Sequence, residues 1–205
     1  MTNEPEKTYL QTRVYDTMGV TPEQNKVEVY CTDPEGSEHK VSMPIFSSDK
    51  DDNIDILVYT LDRRLIQYDH PNADPTRPNI NNNRDQYFKI TRLKNPKDDM
   101  KYRIPKGVGT YPFFPPVLID KYEAGEEIKT LVLTEGYFKA YKAAMHGFDI
   151  VGLSSIHHYA DRKTKALHPD IIKLILKCKV KNVVFYFTMA TVWIFRPKHY
   201  KRAKI

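Results

Sequence analysis

Glu135 stands where chemistry often collects in α/β proteins. The apolar run "TLVLT" (130–134) comes directly before it, and Gly136 and the helical pattern "YFKAYKAAMHG" come directly after it. This order predicts a carboxylate at the carboxyl end of a buried strand, beside a helix N-terminus, which is where the active sites of parallel sheets lie. The other interpretation is that Glu135 only stabilises the positive end of the helix dipole. Spacing alone leaves both open.

A second candidate is a basic stretch between residues 92 and 106. Tyr102 is interleaved with its cations, which are Arg92, Lys94, Lys97, Lys101, Arg103 and Lys106. Cations that neutralise phosphates, next to an aromatic ring that stacks on a base, are typical of single-stranded nucleic-acid binding. The stretch therefore predicts a nucleic-acid track whose contacts are Arg92, Lys97, Lys101, Arg103 and Lys106.

Other groups lack the spacing that their chemistry requires. His157 and His158 are adjacent and point apart on a strand or a helix, so with His168 they do not have metal-site spacing. Cys31 and Cys178 are far apart in the sequence and predict neither a disulfide framework nor a zinc site.

Two regions with different patterns must position the candidate residues. Residues 117–187 alternate strand and helix, which predicts right-handed crossovers and a parallel sheet. The predicted strands are "KTLVLT", "FDIVGLSS" and "KNVVFYF", and the predicted helices are "PVLIDKYEAG", "GYFKAYKAAMHG" and "HPDIIKLILKCK". Residues 1–116 mix a helix near residues 10–18 with hairpin strands, and "SSDKDDN" (47–53) marks a polar linker. The predicted fold class is α/β with an incomplete parallel sheet, preceded by an α+β N-terminal lobe.

Composition and charge are typical of a globular, cytoplasmic chain without membrane association. The 205 residues are 28% charged and 40% hydrophobic, and the formal net charge is +6. No apolar run approaches the roughly 20 residues that a membrane span needs, and the polar start "MTNEPEKTYL" is unlike a signal peptide. The charge excess lies mainly in a basic tail, residues 188–205, which contains Arg196, Lys198, Lys201, Arg202 and Lys204 and no acid.

The run "LVLTEGYFKAYKAAMHGFDIVGLSS" (131–155) resembles the first motif of a Toprim domain, most closely the version in bacterial-type DNA primases and primase-like proteins of phages and mobile elements. The shared order is an apolar strand, Glu-Gly, an aromatic residue, a helix that ends in Gly and a strand that ends in small residues. The resemblance implies a partial Toprim domain at 117–187. It also implies that Glu135 is a general acid or base that helps to hold Mg²⁺ during phosphodiester chemistry, with Gly136 as the backbone turn of the motif.

Two departures from the Toprim pattern weaken the implied metal site. Lys139 stands where many primases have an acid. The family's second motif, Asp-x-Asp, is expected directly after the third strand, but this chain reads "TMATVWIF" after "NVVFYF" and contains no Asp or Glu from there to its end. Because Mg²⁺ needs several hard oxygen ligands, Glu135 alone is a poor site. We expect weak Mg²⁺ binding or none, unless acids are supplied elsewhere.

The genetic code offers an account of the missing acids. Met189 has a single codon, so a frame that starts at the third base of each codon reads Gly across Met189 and Ala190. The free third bases of Thr188 and Ala190 allow Asp on both sides, which places Asp-Gly-Asp where the Toprim family has its second motif. The sequence therefore favours a frameshifted, truncated Toprim gene product, in which residues 188–205 are out of frame. The alternative is that "VVFYFTMATVWIF" (183–195) is one long buried strand.

The resemblance implies a primase-like protein related to DNA replication of a phage or mobile element, catalytically incomplete because the metal-binding Asp pair is absent. The expected partners are single-stranded DNA or RNA, and a helicase or another replication protein. Two alternatives stay open. One is a non-catalytic nucleic-acid binding module that uses the basic stretch, and the other is a relative of the Toprim nucleases.

Overall fold

The chain divides into two compact units in a computed structural model that describes residues 6–33, 35–66, 87–97, 100–105, 110–155, 158–160 and 166–187, and the backbone of 193–195. The first unit comprises Met1–Tyr59 and Arg63–Gly109, and the second comprises Thr60–Asp62 and Thr110–Ile205. Together the units give a mixed α/β architecture with one partly parallel sheet. The predicted domain boundaries at 116 and 187 stay predictions.

In its described part, the first unit consists of a π-helix and two antiparallel sheets. The π-helix is Gln11–Thr17, and one sheet pairs β1 (Lys26–Thr32) with β2 (Glu38–Pro44). The other sheet has the order β3 (Phe46–Ser48), β4 (Ile54–Leu57), β5 (Lys89–Arg92) and β6 (Tyr102–Arg103). The helix near residues 10–18 is confirmed as a helical segment, although its hydrogen bonding is of the π type. The core of this unit includes the fully buried side chains of Val14, Val29, Phe46, Ile54 and Ile56.

Residues 47–53 comprise the end of strand β3 and the hairpin loop after it, so the prediction of a polar linker is wrong. Ser47 and Ser48 belong to β3, and the loop leads directly into β4. The Asp49 carboxylate accepts hydrogen bonds from the backbone N–H groups of Asp51 and Asn53, at 2.9 and 2.8 Å. Short polar side chains of this kind fold a tight turn by bonding to nearby backbone, and their composition is the same as that of a linker.

The second unit contains a four-stranded sheet and three α-helices among its described residues. The sheet has the order β10 (Trp193–Phe195), β9 (Asn182–Tyr186), β7 (Thr130–Glu135) and β8 (Ile150–Leu153). Strand β7 pairs in parallel with β8 on one side and with β9 on the other. The helices are α1 (Pro116–Ala124), α2 (Tyr137–Met145) and α3 (Pro169–Lys177). The three strands, the three helices and the parallel pairing predicted for 117–187 are confirmed. The finer assignment to a Toprim-like sheet stays a prediction.

Local sequence signals explain where these elements begin and end. Helix α1 ends at Gly125, whose φ of 67° and ψ of 28° are the left-handed C-cap geometry that glycine adopts without strain. Helix α3 begins at Pro169, whose fixed φ suits the first helical position. The side chains of Leu131 and Leu133 are fully buried, so β7 is the centre of the apolar core.

The segment after β9 folds back on the sheet. Trp193 pairs with Phe185, and Phe195 with Val183, in an antiparallel register. The interpretation of residues 183–195 as one long strand is therefore wrong, because β9 ends at Tyr186 and the chain then reverses direction. The five cations of the basic tail lie outside the described residues. That the tail is out of frame stays a prediction.

None of the described helices combines the length and the apolarity that crossing a membrane requires.

Candidate active site

Glu135 is the last residue of the strand that lies between two parallel neighbours. It pairs in register with Leu153, the last residue of β8, while Thr134 pairs with Tyr186, the last residue of β9. The three strands therefore end together, and we call this end of the sheet the carboxyl edge. Glu135 is partly exposed there, whereas Thr134 is buried. A partly exposed carboxylate at this edge can contact a ligand, while the strand that carries it stays in the core.

Gly136 turns the backbone from β7 into α2. Its φ of 102° lies in a region that residues with side chains rarely adopt. Its N–H donates to the carbonyl of Leu153 at 2.8 Å, and its carbonyl accepts the N–H of Ala140 at 3.1 Å. Gly136 therefore ends the pairing with β8 and begins the helix. Its hydrogen bonds fix the direction in which the chain leaves the strand after Glu135.

The side chain of Lys139 folds back over this turn. A Cβ atom built on Gly136 would lie 3.0 Å from Cε of Lys139 and 3.9 Å from its Nζ. The end of this flexible side chain can move aside, so the φ of Gly136 is what requires a glycine here. An ammonium group thus lies beside the Glu135–Gly136 turn, and its positive charge opposes the binding of a divalent cation at the same place.

A serine and a histidine follow β8 at the same edge. The Ser154 hydroxyl is hydrogen bonded to Nδ1 of His158, and the backbone N–H of His158 donates to the carbonyl of Ser155 at 3.0 Å. The ring of Tyr159 packs edge-on against Phe185 of β9, with centroids 5.0 Å apart. Ser154 therefore follows β8, while Tyr159 contacts β9 on the other side of β7.

Sequence reasoning did not find the hydrogen-bonded Ser154 and His158. It judged the histidines by metal-ligand spacing, and His157 lies outside the described residues. The available signal was a serine at the end of a predicted strand with a histidine four residues later. A spacing rule for metal ligands does not detect such a pair.

His168 has a structural role at the start of α3. Its Nδ1 accepts the backbone N–H of Asp170 at 3.2 Å, which caps the helix, and its ring lies edge-on to Tyr111 at 6.0 Å. Burial lowers the pKa of the imidazole below its ordinary value. A neutral ring accepts the capping hydrogen bond, so burial and capping favour the same protonation state.

The described residues at the carboxyl edge do not fit Mg²⁺. They provide one carboxylate, one ammonium and a hydroxyl–imidazole pair, whereas Mg²⁺ requires near-octahedral oxygen ligands. Among all residues that the structure describes, no group of three or more His, Cys, Asp or Glu side chains is arranged to hold a metal ion. Glu135 is therefore a candidate for proton transfer or ligand contact, and it belongs to no such group among the described residues.

Some cations of the basic stretch contact other residues of the first unit. Nε of Arg92 donates to the Tyr9 hydroxyl at 3.2 Å, and the guanidinium lies 5.0 Å from the centre of the Tyr102 ring. Nη2 of Arg103 lies 3.6 Å from the Asp49 carboxylate. Two of the predicted nucleic-acid contacts therefore have partners within the first unit.

The remaining cations of the stretch differ in their surroundings. Nζ of Lys94 is 2.8 Å from the carboxylate of Asp52. Lys97 and Lys101 are exposed. Lys106 lies outside the described residues. Within the described chain, Lys97, Lys101 and Arg103 are thus exposed predicted contacts, and the side chain of Arg103 is 59% exposed although it lies beside Asp49.

No protein-family model matches the chain, and no significantly similar curated protein or solved structure is found.

Proposed function

We propose that the second unit is a Toprim-like unit related to the DNA primases of phages or mobile elements. The observation that carries the proposal is the position of Glu135 at the carboxyl end of β7, with a parallel strand on each side and Gly136 leading into α2. The order of strand, Glu-Gly, helix and second strand agrees with the motif that the sequence resembles. Glu135 is then the general acid or base of phosphodiester chemistry.

In this proposal the chain does not complete that chemistry by itself. An intact relative binds single-stranded DNA and joins nucleotides, together with a helicase or another replication protein. Here Lys139 replaces an acid, and the sequence after β9 contains no carboxylate. The protein is therefore a primase relative that lacks the acids that would hold Mg²⁺.

Calorimetry with Mg²⁺ and Mn²⁺ tests the incomplete site. We expect no stoichiometric binding to the wild-type chain, and no difference between the wild type and Glu135→Gln. Glu126→Gln is the matched control, since Glu126 is an exposed carboxylate of the same unit that lies outside the strands and helices. A tight site that is lost in Glu135→Gln and kept in Glu126→Gln would contradict the proposal.

The coding DNA tests the origin of the missing acids. If residues 188–205 are out of frame, the third codon positions of Thr188 and Ala190 are both G. The shifted frame then stays open beyond Ile205 with further α/β patterning. Other bases at those positions, or an early stop, make the tail genuine protein sequence and the missing acids a real divergence.

A second candidate function is non-catalytic binding of single-stranded nucleic acid by the first unit. It is favoured by the exposure of Lys97 and Lys101 beside Tyr102. Binding of a fluorescent oligonucleotide should weaken in Lys97→Gln/Lys101→Gln, with a salt slope smaller by about 1.4 for two lost phosphate contacts to a single strand. If deletion of residues 188–205 abolishes binding while the double variant keeps it, the tail alone binds and this function is excluded.

The Toprim nucleases remain a weaker alternative, because "EGYF" (135–138) resembles primases more closely.

A further inference from the structure

A hydroxyl–imidazole pair lies at the carboxyl edge of the second unit. The Ser154 hydroxyl is hydrogen bonded to Nδ1 of His158, and both residues are partly exposed. In the imidazole tautomer that carries its proton on Nε2, Nδ1 accepts the hydroxyl hydrogen. This is the arrangement in which a neutral imidazole acts as a general base and makes a serine hydroxyl a nucleophile. The function proposed above for the second unit does not use this pair.

The serine is held close to the turn between β7 and α2. It directly follows Leu153, whose carbonyl accepts the backbone N–H of Gly136 at 2.8 Å. The peptide group between Leu153 and Ser154 therefore contacts this turn. Because α2 starts there, the positive end of its dipole lies at the same edge and stabilises negative charge that develops on a substrate.

The histidine is held by contacts of its own segment. Its backbone N–H donates to the carbonyl of Ser155 at 3.0 Å. The ring of the next residue, Tyr159, lies edge-on to Phe185 of β9, with centroids 5.0 Å apart. A nucleophile and its base are effective only when surrounding contacts keep them in the productive geometry, and these contacts provide that support for His158.

We propose that Ser154 and His158 are a nucleophile and a general base that hydrolyse carboxylic esters without a metal ion. The charges described at the Glu135–Gly136 turn favour an uncharged substrate, since the carboxylate of Glu135 and the ammonium of Lys139 offset each other. A phosphate group is instead held by an excess of cations. The proposal goes beyond the incomplete metal site and does not depend on it.

The reaction has two steps and consumes one water molecule. Oγ of Ser154 attacks the ester carbonyl carbon while its proton passes to Nδ1 of His158. The ester C–O bond then breaks, and the alcohol leaves with the proton from the imidazolium, so that the acyl group is bound to the serine. Water attacks this acyl group, gives a proton to the same nitrogen, and releases the carboxylic acid and the free hydroxyl.

A fluorophosphonate probe tests the nucleophile on the full chain. Such a probe reacts with an activated serine: Oγ bonds to phosphorus, fluoride leaves, and the hydroxyl proton passes to the imidazole. With EDTA present, the folded wild type should be labelled at Ser154, as located by mass spectrometry of its peptides, and heat-unfolded protein should not be labelled. Ser154→Ala should remove the label. His158→Asn should slow labelling by about 100-fold, the lower range of a general base's contribution.

Two matched variants control for the local surroundings. Ser155→Ala removes a neighbouring, partly exposed hydroxyl but keeps the backbone carbonyl to which His158 donates. His146→Asn removes an exposed imidazole at the end of α2. Both variants should be labelled at the wild-type rate. An unlabelled folded wild type, a label that persists in Ser154→Ala, or an unchanged rate in His158→Asn would overturn the proposal, and the wild-type result decides even if a variant does not fold.

Ester turnover tests the assigned reaction. With p-nitrophenyl acetate and EDTA, the wild type should release a stoichiometric burst of p-nitrophenolate before a slower steady phase, because acylation precedes deacylation. The burst should be absent from Ser154→Ala. Equal hydrolysis by the wild type and Ser154→Ala would exclude ester hydrolysis by this pair. Since EDTA is present throughout, failure here is distinguishable from failure of the proposed function, which calorimetry with Mg²⁺ and Mn²⁺ tests.

Discussion

The basic stretch of the first unit and the carboxyl edge of the second unit bring their candidate residues together in different ways. The basic stretch is contiguous in the sequence, yet Arg92 and Arg103 are each held by a partner in the fold, namely Tyr9 and Asp49. At the carboxyl edge, residues from three separate strands meet although none of them is adjacent in the sequence. In this chain, adjacency in the sequence therefore does not by itself determine which cations are free of protein contacts, whereas the sheet topology determines which strand ends meet.

This difference has a physical cause. Arg92 ends β5 and Arg103 lies in β6, whereas Lys94, Lys97 and Lys101 lie between these strands, so the cations of the stretch occupy different local structures. Acids in an adjacent hairpin loop then neutralise some of them, as Asp52 does for Lys94. Parallel strands, in contrast, bring their carboxyl ends to one edge by the geometry of the sheet itself.

The largest expected effect comes from closing the space between α2 and β8. A Cβ atom on Gly152 would lie 3.0 Å from Cβ of Ala140 and 3.4 Å from Cα of Tyr137. Gly152→Ala should therefore lower the free energy of unfolding of the second unit by about 1–3 kcal/mol, because overpacking forces the helix away from the strand. Chemical denaturation followed by the fluorescence of Trp193, the only tryptophan, measures this.

A second substitution shows whether crowding is the cause. In Ala140→Gly/Gly152→Ala, the methyl group is moved from the helix to the strand. The double variant should be more stable than the sum of its two single effects predicts. If the effects of the two substitutions simply add, crowding between α2 and β8 is not the cause of the destabilisation.

An effect of similar size, but absent below pH 10, is expected at Tyr141. Burial raises the pKa of its phenol from its ordinary value near 10 to about 12. In the unfolded chain the phenol loses its proton first, so the native state is stabilised fully below pH 10 and loses this contribution as pH rises towards 12. Between pH 10 and pH 12, the unfolding free energy of the wild type should fall by about 2–3 kcal/mol relative to that of Tyr141→Phe. If the difference in unfolding free energy between the wild type and Tyr141→Phe is the same at pH 9 and pH 11.5, Tyr141 ionises as readily in the folded chain as in the unfolded chain.

The smallest effect tests the first unit. Arg92→Lys keeps the charge but loses the hydrogen bond from Nε to Tyr9 and the planar contact with Tyr102. We expect a loss of about 1 kcal/mol in unfolding free energy and an unchanged affinity for single-stranded nucleic acid. A loss of nucleic-acid affinity without a loss of stability would instead place Arg92 in a binding surface. The basic stretch would then act as a binding surface, contrary to the comparison drawn above.

Much of the second unit could be predicted from the sequence, because its signals are local. Apolar runs marked the strands, while Gly125 and Pro169 marked the end of one helix and the start of another. The parallel order followed from the alternation of strand and helix. The position of Glu135 at a strand end followed in turn from that order.

The remaining features depend on contacts that a linear pattern does not contain. The acids of 47–53 fold a hairpin loop rather than a linker, because Asp49 binds the backbone of its own turn. The pairing of Trp193 with Phe185 is a choice between one long strand and two short ones, which apolarity alone does not decide. The position of Lys139 over Gly136 depends on a side-chain rotamer.

We propose that the carboxyl edge of the second unit is related to a Toprim metal site and lacks the Asp-x-Asp half of that site. Replacing Thr188 and Ala190 by aspartate restores Asp-x-Asp directly after the chain leaves β9, and calorimetry with Mn²⁺ then measures the result. We predict a stoichiometric Mn²⁺ site in Thr188→Asp/Ala190→Asp that is absent from the wild type and is lost again when Glu135→Gln is added. Failure of the double variant to bind Mn²⁺, or binding that is indifferent to Glu135→Gln, would contradict the account.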